Sequence, residues 1–502
     1  MDANLQQAGS APMKRRSTEA GRWRKMECTR QQIIHKNPAS IVEEYQLEGW
    51  LGQGAFSTVK RAKHKRSGIR RAIKRIPKGR TSTMTFQKEV EMLTALDSPH
   101  IIRLIEYFEE DDAFYLVQEL GMGPDLFDYI SSHDGPIPEE DVAAIMRQCL
   151  KAVLHCHACR IVHRDIKPEN FVLSDKPTRA LSVKLIDLGV ATRCAEEDSV
   201  VGAAGTPDYM APELFLGQGS GSPADVWSLG MVLWTLLAAR MLLPQTDSKR
   251  AEALKDREWV TNAISTASAL RERKTSEAAM DLLKSMLTHD PKERITVSAA
   301  LAHPFITAYL SDGLESDGEE VPGWLREHVG QNLRDFARLP QLKKLAMLVM
   351  THLSSTQVHF SEELLLADRV FHTMDTDFDG QISLEELQQG LDRHGITVCP
   401  DLDTVFNMCD ANCSGSLNYV EFLAAVLPPS FFDETLCKEA FNVLDRDNSG
   451  CLEASDLSAM GFTGRYTMEE CEAMFQNALP GGKTCFSQEE FVEYMLSSAE
   501  SA

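Results

Sequence analysis

The chain has 502 residues, 43% of them hydrophobic, and a formal net charge of −22. That length exceeds what one core supports, so two to four domains are expected, and the composition excludes a disordered or fibrous chain. The acidity is uneven. From His359 to the end there are 27 acidic and 6 basic residues, a balance of −21, which argues against nucleic acid as a partner and for a segment that binds cations.

Twelve cysteines are scattered without a disulfide-like framework, so the chain reads as reduced and cytoplasmic. Cys156 and Cys159, beside His155 and His157, have no second ligand pair at zinc spacing and read as helix residues. No secretory signal is visible, and Met1-Asp2 lacks the glycine that myristoylation needs. The longest apolar run, Val226 to Ala239, is too short to span a bilayer.

In chain order, residues 1–44 are polar and basic, with Lys14, Arg15, Arg16, Arg22, Arg24 and Lys25; they read as a disordered arm. Residues 45–305 carry a set of phosphate-handling motifs. Leu51-Gly52-Gln53-Gly54-Ala55-Phe56-Ser57-Thr58-Val59 predicts a strand-turn-strand loop in which Gly52 and Gly54 let backbone approach phosphates closely, with Ser57 where a third glycine is usual. Ala72-Ile73-Lys74 is an alternating strand ending in a lysine. A helix from Phe86 to Leu96 offers Glu89 and Glu91 to aim that lysine. Tyr115 to Leu120 is an apolar strand with Gln118 and Glu119 near its end, and Asp125 follows.

His163-Arg164-Asp165-Ile166-Lys167-Pro168-Glu169-Asn170 has the spacing H-R-D-x-K-x-x-N. One rigid loop would then present a base, a cation and a metal ligand, which phosphoryl transfer needs because it is mostly positioning and charge neutralisation. Downstream stand Lys184-Leu185-Ile186-Asp187-Leu188-Gly189, Gly205-Thr206-Pro207, Ala211-Pro212-Glu213, a helix opened by Asp225, and Arg294.

These motifs resemble those of the protein kinases. The resemblance implies a bilobal α+β domain with ATP and Mg2+ between its lobes. It implies Asp165 as the base, Lys167 near the γ-phosphate, Asn170 and Asp187 as magnesium ligands, and Lys74 gripping the phosphates, aimed by Glu89 rather than Glu91. Leu51, Val59, Ala72, Gln118 (at the gatekeeper position) and Glu119 fall where kinases line the adenine pocket. Asp125 falls where they bind ribose or a substrate arginine. Arg294 is expected to pair with Glu213, and one of Glu196, Glu197 and Asp198 is expected to stand in for an activating phosphate beside Arg164.

Residues 306–358 read as a linker followed by a junction helix from Leu333 to Leu353, amphipathic and basic at Arg338, Lys343 and Lys344. Beyond it lies a repeat of about 35 residues, in two pairs at 359–428 and 429–502. Asp375, Asp377, Asp379, Gln381 and Glu386 occupy positions 1, 3, 5, 7 and 12 of a twelve-residue EF-hand loop, whose oxygens suit calcium. Asp410, Asn412, Ser414, Ser416 and Glu421 form a second loop with fewer charges. Asp445, Asp447, Ser449, Cys451 and Asp456 form a third, whose last ligand is one methylene shorter. The fourth has Leu479, Gly481 and Lys483 where carboxylates belong and reads as a structural partner only.

Kinase domain, basic junction and four hands in this order resemble the calcium-dependent protein kinases of plants and apicomplexan protozoa. That implies a serine/threonine kinase whose all-α EF-hand domain withdraws an inhibitory junction helix when Ca2+ rises. The rival reading is a calcium-sensing adaptor with a catalytically weak kinase lobe. Protein substrates with upstream basic residues are expected, received by Asp125 and Glu169.

Overall fold

The computed structural model describes residues 33–54, 57–121, 123–133, 135–173, 182–194, 205–219, 221–309, 323–354, 362–377, 379–396, 401–460, 467–479 and 483–497. Five strands open the chain: β1 (Tyr45–Gln53), β2 (Thr58–His64), β3 (Arg70–Pro77), β4 (Leu104–Glu109) and β5 (Ala113–Gln118). They form one antiparallel sheet in the order β1-β2-β3-β5-β4. β5 is buried at every residue, as its continuous apolar run requires. Between β3 and β4 lies α1 (Thr83–Ala95), capped where Ser82 Oγ accepts from Thr85 N at 3.1 Å. Phe86, Glu89 and Leu93 share its buried face at three- and four-residue spacing, which turns one acidic side chain inward.

The second lobe is helical, with α2 (Glu139–Ala158), α3 (Ser222–Ala238) and α4 (Glu277–Met286). α3 is buried on all sides from Ala224 to Ala238 and carries Pro223 in its first turn, where a missing N–H costs nothing. Residues 163–170 follow α2 and run into a hairpin of β6 (Phe171–Leu173) and β7 (Val183–Leu185).

The single junction helix expected over Leu333–Leu353 is instead two helices, α5 (Gly323–Arg338) and α6 (Gln341–Ser354). Pro340 causes the break. It lacks an amide N–H and its ring clashes with the preceding turn, so it precedes α6 and accepts from Lys344 N at 3.1 Å.

Four helix-loop-helix units follow. They are α7 (Glu362–Met374) with α8 (Leu384–Arg393), α9 (Leu402–Cys409) with α10 (Tyr419–Val426), α11 (Glu434–Leu444) with α12 (Ala454–Ala459), and α13 (Met468–Ala478) with α14 (Gln488–Leu496). Their loops pair through short antiparallel strands. β8 (Gln381–Ser383) joins β9 (Ser416–Asn418), and β10 (Cys451–Glu453) joins β11 (Cys485–Ser487). At the centre of each ladder Ile382 faces Leu417 and Leu452 faces Phe486.

One apolar core runs from Ile73, Phe108 and Val117 of the sheet through Leu345, Val349 and Leu353 of α6 into Phe371, Phe422 and Phe441 of the hands. The junction is therefore interior to the EF-hand region, and that region is seated on the first lobe. A second core fills the helical lobe.

Residues 33–44 do not belong to an arm: Ile33, Ile34 and Ile41 are buried. Tyr107 N donates to His35 O at 3.1 Å and Asn37 N donates to Tyr107 O at 2.8 Å, so the segment extends the edge of β4. Three apolar side chains outweigh the polar composition around them. The cysteines also hold a bridge: Cys451 and Cys485 form a disulfide. The other eight described cysteines, Cys156 and Cys159 among them, are not in disulfides. Among the described residues no helix is long and apolar enough to cross a membrane.

Candidate active site and calcium loops

The sheet register places Lys74 of β3 opposite Val59 and Leu116, and its ammonium reaches two carboxylates. Lys74 Nζ lies 2.6 Å from Glu89 Oε1 and 2.7 Å from Asp187 Oδ1. Burial opposes the lysine charge, yet Glu89 and Asp187 together hold its pKa above the ordinary value. The same lysine, with help from Gly189 N at 3.0 Å, holds the Asp187 carboxyl down at about 2. Asp187 has φ 66°, a left-handed conformation that turns its carboxylate back toward Lys74. Glu91 is not in this cluster. The glutamate that shares the buried face with Phe86 and Leu93 is the one that can reach in.

Asp165 stands at the centre of a second cluster. Its Oδ1 accepts from Thr206 N at 2.8 Å and Thr206 Oγ1 at 2.7 Å, and its Oδ2 lies 2.9 Å from Lys167 Nζ. Asn170 Nδ2 donates to Asp165 O at 2.7 Å, so the oxygen is the atom that amide can offer a metal. The loop's shape is set from below. Asp225, fully buried at the start of α3, accepts from His163 N at 2.9 Å, Arg164 N at 2.8 Å and His157 Nε2 at 2.8 Å. These bonds keep its carboxyl below the ordinary range against its burial. Gly205 has φ 110°, and a Cβ there would lie 2.2 Å from Arg164 O, so only glycine permits this approach. Arg164 Nε donates to Val190 O at 2.8 Å. Glu196, Glu197 and Asp198 lie outside the described residues.

The remaining kinase-motif residues take these places. Gly54 N donates to Ser57 O at 2.9 Å, so Ser57 closes the turn where a glycine is usual. Gly52 faces Val59 across the hairpin, and Leu51 beside it is exposed. Ala72 and Gln118 face each other in the ladder and are buried. Glu119 N donates to Arg103 O at 3.0 Å, which leaves the Glu119 carbonyl as the group offered to the cleft. Its side chain turns inward to Lys184 at 3.0 Å. Asp125 caps the helix Leu126–Ser132 by accepting from Asp128 N at 2.8 Å. Glu169 Oε2 is buried with no hydrogen-bond partner, and burial raises its pKa. Arg294 forks onto Glu213 at 2.7 and 3.0 Å and stacks over Trp227.

In the hands the twelve-residue spacing does two jobs. Position 9 is the N-cap of the exiting helix and position 12 is its third residue, so Ser383 with Glu386 and Asn418 with Glu421 form capping boxes. Glu453 with Asp456 and Ser487 with Glu490 repeat the arrangement. Asp375, Asp377 and Glu386 bring carboxylate oxygens within 4.8 Å of one another, as do Asp445, Asp447 and Asp456. Asp375 Oδ1 is buried with no hydrogen-bond partner, and burial and Asp379 push its pKa up to about 7. A cation is the partner such an oxygen lacks, so the first loop fits Ca2+.

Asp379 Oδ1 accepts from Gln381 N at 2.7 Å. In the second loop Asp410 accepts from Ser414 N and Gly415 N, and Asn412 Oδ1 also accepts from Ser414 N. Ser414 Oγ donates to Ser416 O at 2.9 Å. Burial raises Glu421 to about 8. In the third loop Ser449 Oγ donates to Cys451 O at 3.0 Å, and Asp456 accepts from Arg446 N at 3.0 Å and Glu453 N at 2.9 Å. In the fourth loop Lys483 forms an ion pair with Glu490, placing an ammonium beside the position-12 carboxylate that elsewhere faces the ion.

A seam between kinase and hands had no signature in the sequence. His155 of α2 accepts from Asp97 N through Nε2 at 3.1 Å, so its Nδ1 carries the proton it donates to Asp379 O at 3.2 Å. Gly380 lies against the same ring: a Cβ there would come within 2.0 Å of it. Val420 N donates to Asp97 Oδ2 at 3.2 Å. His100 stacks on His372 with centroids 5.2 Å apart. Arg103, 1% exposed, reaches His352 O at 3.4 Å and lies over Tyr419. Cavities open along this boundary, one of about 50 Å³ lined by Tyr45, Arg71, Glu439 and Arg446. The nucleotide groups lie elsewhere and are located by their chemistry.

This geometry defines a protein kinase joined to an EF-hand domain, and comparison with known proteins agrees. The protein kinase domain family matches residues 45–306, and the EF-hand domain pair family matches 347–427. Calcium-dependent protein kinase 5 of Plasmodium falciparum (isolate 3D7) is 30% identical over 430 residues, 85% of this chain and 72% of that protein. Calcium-dependent protein kinase 7 of Arabidopsis thaliana is 32% identical over 437 residues, 84% of this chain and 77% of that one. Calcium-dependent protein kinase 9 of Oryza sativa subsp. japonica is 31% identical over 438 residues, 85% and 72% respectively.

The chain belongs to the calcium-dependent protein kinases. It is a calcium-regulated serine/threonine protein kinase that uses ATP, Mg2+ and Ca2+.

The buried fork of Arg294 onto Glu213 gives a test of what orders the activation segment. Arg294→Ala leaves a buried carboxylate without its cation and is expected to cost about 3–5 kcal/mol of stability, read as a lower denaturation midpoint. An unchanged midpoint would show the pair to be dispensable.

Proposed function

We propose that Asp165 acts as the base for the substrate hydroxyl, with Lys167 beside it to balance charge on the transferred phosphoryl group. The observation that carries this is the shared hydroxyl: Thr206 Oγ1 lies 2.7 Å from Asp165 Oδ1 and 2.9 Å from Lys167 Nζ. One hydroxyl thus bridges this carboxylate and this ammonium, which supports their joint action on the hydroxyl of a substrate serine or threonine. Lys74, locked by Glu89, positions the α- and β-phosphates. Asp187 and Asn170 would hold magnesium, which supplies neutralising charge when bound. Asp187 is suited to that role because Lys74 keeps it ionised at any physiological pH. Leu51, Gly52, Gly54, Val59, Ala72, Gln118 and the Glu119 carbonyl line the nucleotide side. Asp165→Asn should lower phosphoryl transfer by about 10²–10⁴-fold while ATP still binds. Near-normal turnover would remove Asp165 from this role.

Substrates are proteins, and we read them as basic upstream of the phosphorylated residue. Glu169 supports this, since its buried Oε2 has no donor in the chain and a guanidinium would supply one. Asp125 lies near enough for its charge to act on Glu169. In a peptide array Glu169→Gln should erase most of a preference for upstream arginine, about 10-fold or more. An unchanged preference would contradict the assignment.

The calcium switch runs through the junction. α5 and α6 lie within the hands here, which supports the reading that calcium holds the junction away from the catalytic cleft. The first pair does the sensing, because its first loop touches α2 of the kinase through His155. The second pair anchors α6, whose Lys343 donates to Ser497 O at 2.9 Å. Thiols on eight described cysteines support a reducing, cytoplasmic setting. Glu386→Gln or Glu421→Gln should raise the calcium needed for half-activation by about 10-fold or more, and Asp456→Asn by far less. A larger shift from Asp456→Asn, with magnesium fixed, would reverse the roles of the pairs.

A further inference from the structure

Position 7 of each EF-hand loop opens the short strand through which the loops pair; it faces position 9 of the partner loop, and the two position-7 side chains of a pair meet on the diagonal beside the central residues. In the first pair they are Gln381 and Ser416, joined by a hydrogen bond from Ser416 Oγ to Gln381 Oε1. In the second pair they are Cys451 and Cys485, with Cα atoms 5.9 Å apart and their sulfurs bonded. That separation lies in the range a disulfide spans without moving backbone. Both residues are only partly buried, so small oxidants and reductants can reach them.

Two features make this bond matter to the metal. Cys451 supplies the position-7 carbonyl of the third loop, and Ser449 Oγ already donates to that oxygen at 3.0 Å. The fourth loop has no carboxylate set to bring an ion of its own, and its Glu490 is taken by Lys483. A pair that binds metal on one side only lacks the second ion that would hold its partner loop in register. A covalent link between the two position-7 residues restrains the third loop in its place, before any ion arrives.

We propose that Cys451 and Cys485 are a reversible thiol–disulfide switch that sets the metal affinity of the third loop. The inference rests on the reading of that loop as a metal site. In the oxidising direction the two thiols lose two protons and two electrons to form one S–S bond, and a hydroperoxide accepts them to become an alcohol and water. In the reducing direction a dithiol takes the bond by exchange and becomes a disulfide itself. Among the described residues this is the one disulfide. Oxidation tightens the third loop and stiffens the anchor of α6.

The test uses the full chain carrying Glu386→Gln and Glu421→Gln, so that the third loop dominates binding. One sample is treated with dithiothreitol and one with hydrogen peroxide. Unreduced digests blocked with N-ethylmaleimide report the link, and calorimetric titration with calcium reports affinity. The expected result is a Cys451–Cys485 peptide in the oxidised sample only, removed again by dithiothreitol. Calcium should bind about threefold or more tighter in that sample. Cys485→Ser should abolish both the link and the difference. Thiols that stay open to the blocking reagent after peroxide would overturn the proposal. So would equal affinities in linked and reduced protein, or a difference that survives in Cys485→Ser. A link that forms without binding heat in either sample would instead overturn the third loop as a metal site, and the control of affinity with it.

Discussion

The guanidinium of Arg103 stands where the kinase lobe, the junction and the second hand meet, and it is 1% exposed. A buried cation is tolerated only with partners around it, and here the partners come from separate parts of the chain. Asp97 lies 3.5 Å away on the kinase, the His352 carbonyl on α6, and the Tyr419 ring at the start of α10. Separating the hands from the kinase would remove the His352 and Tyr419 contacts and leave Asp97 as its neighbour. The same boundary carries His155, whose two ring nitrogens are bound in opposite senses, one to the kinase and one to the first calcium loop. α2, which carries His155, leads directly into the loop that holds Asp165. The contact therefore links the geometry of the first EF-hand loop to the element that leads into the catalytic loop.

The chemistry was legible in the sequence wherever it demands particular residue types at fixed spacing. Asp165, Lys167 and Asn170 share one loop, and the structure brings their side chains together. The hands read clearly because calcium needs oxygens at set intervals, and those intervals also cap a helix. The choice of Glu89 over Glu91 needed the family resemblance, and burial beside Phe86 and Leu93 supplies its physical reason.

Other features were hidden because they depend on what the chain packs against. Pro340 was visible, but the periodic apolar residues on both sides of it read as one helix. Ile33 and Ile34 were lost in a basic segment, since composition averages over a window and burial acts on single side chains. Asp97, Arg103 and His155 have ordinary sequence surroundings, and their contacts to Val420, His352, Tyr419 and Asp379 exist only once the hands are docked. The Cys451–Cys485 bond could not be read from scattered cysteines. It could have been found by asking which residues stand at position 7 of each loop, because that position meets its counterpart on the diagonal of the ladder.

The proposed switch requires calcium to set how the hands sit on the kinase. The most direct measurement is amide hydrogen exchange of the full chain in excess calcium and in chelator, followed at Asp97 and Val420. Both amides donate across or beside the seam, to His155 and to Asp97, so they report docking itself rather than turnover. Strong protection of both is expected with calcium, and marked loss of protection without it. Equal protection in the two conditions, in a protein whose kinase activity still rises with calcium, would contradict it.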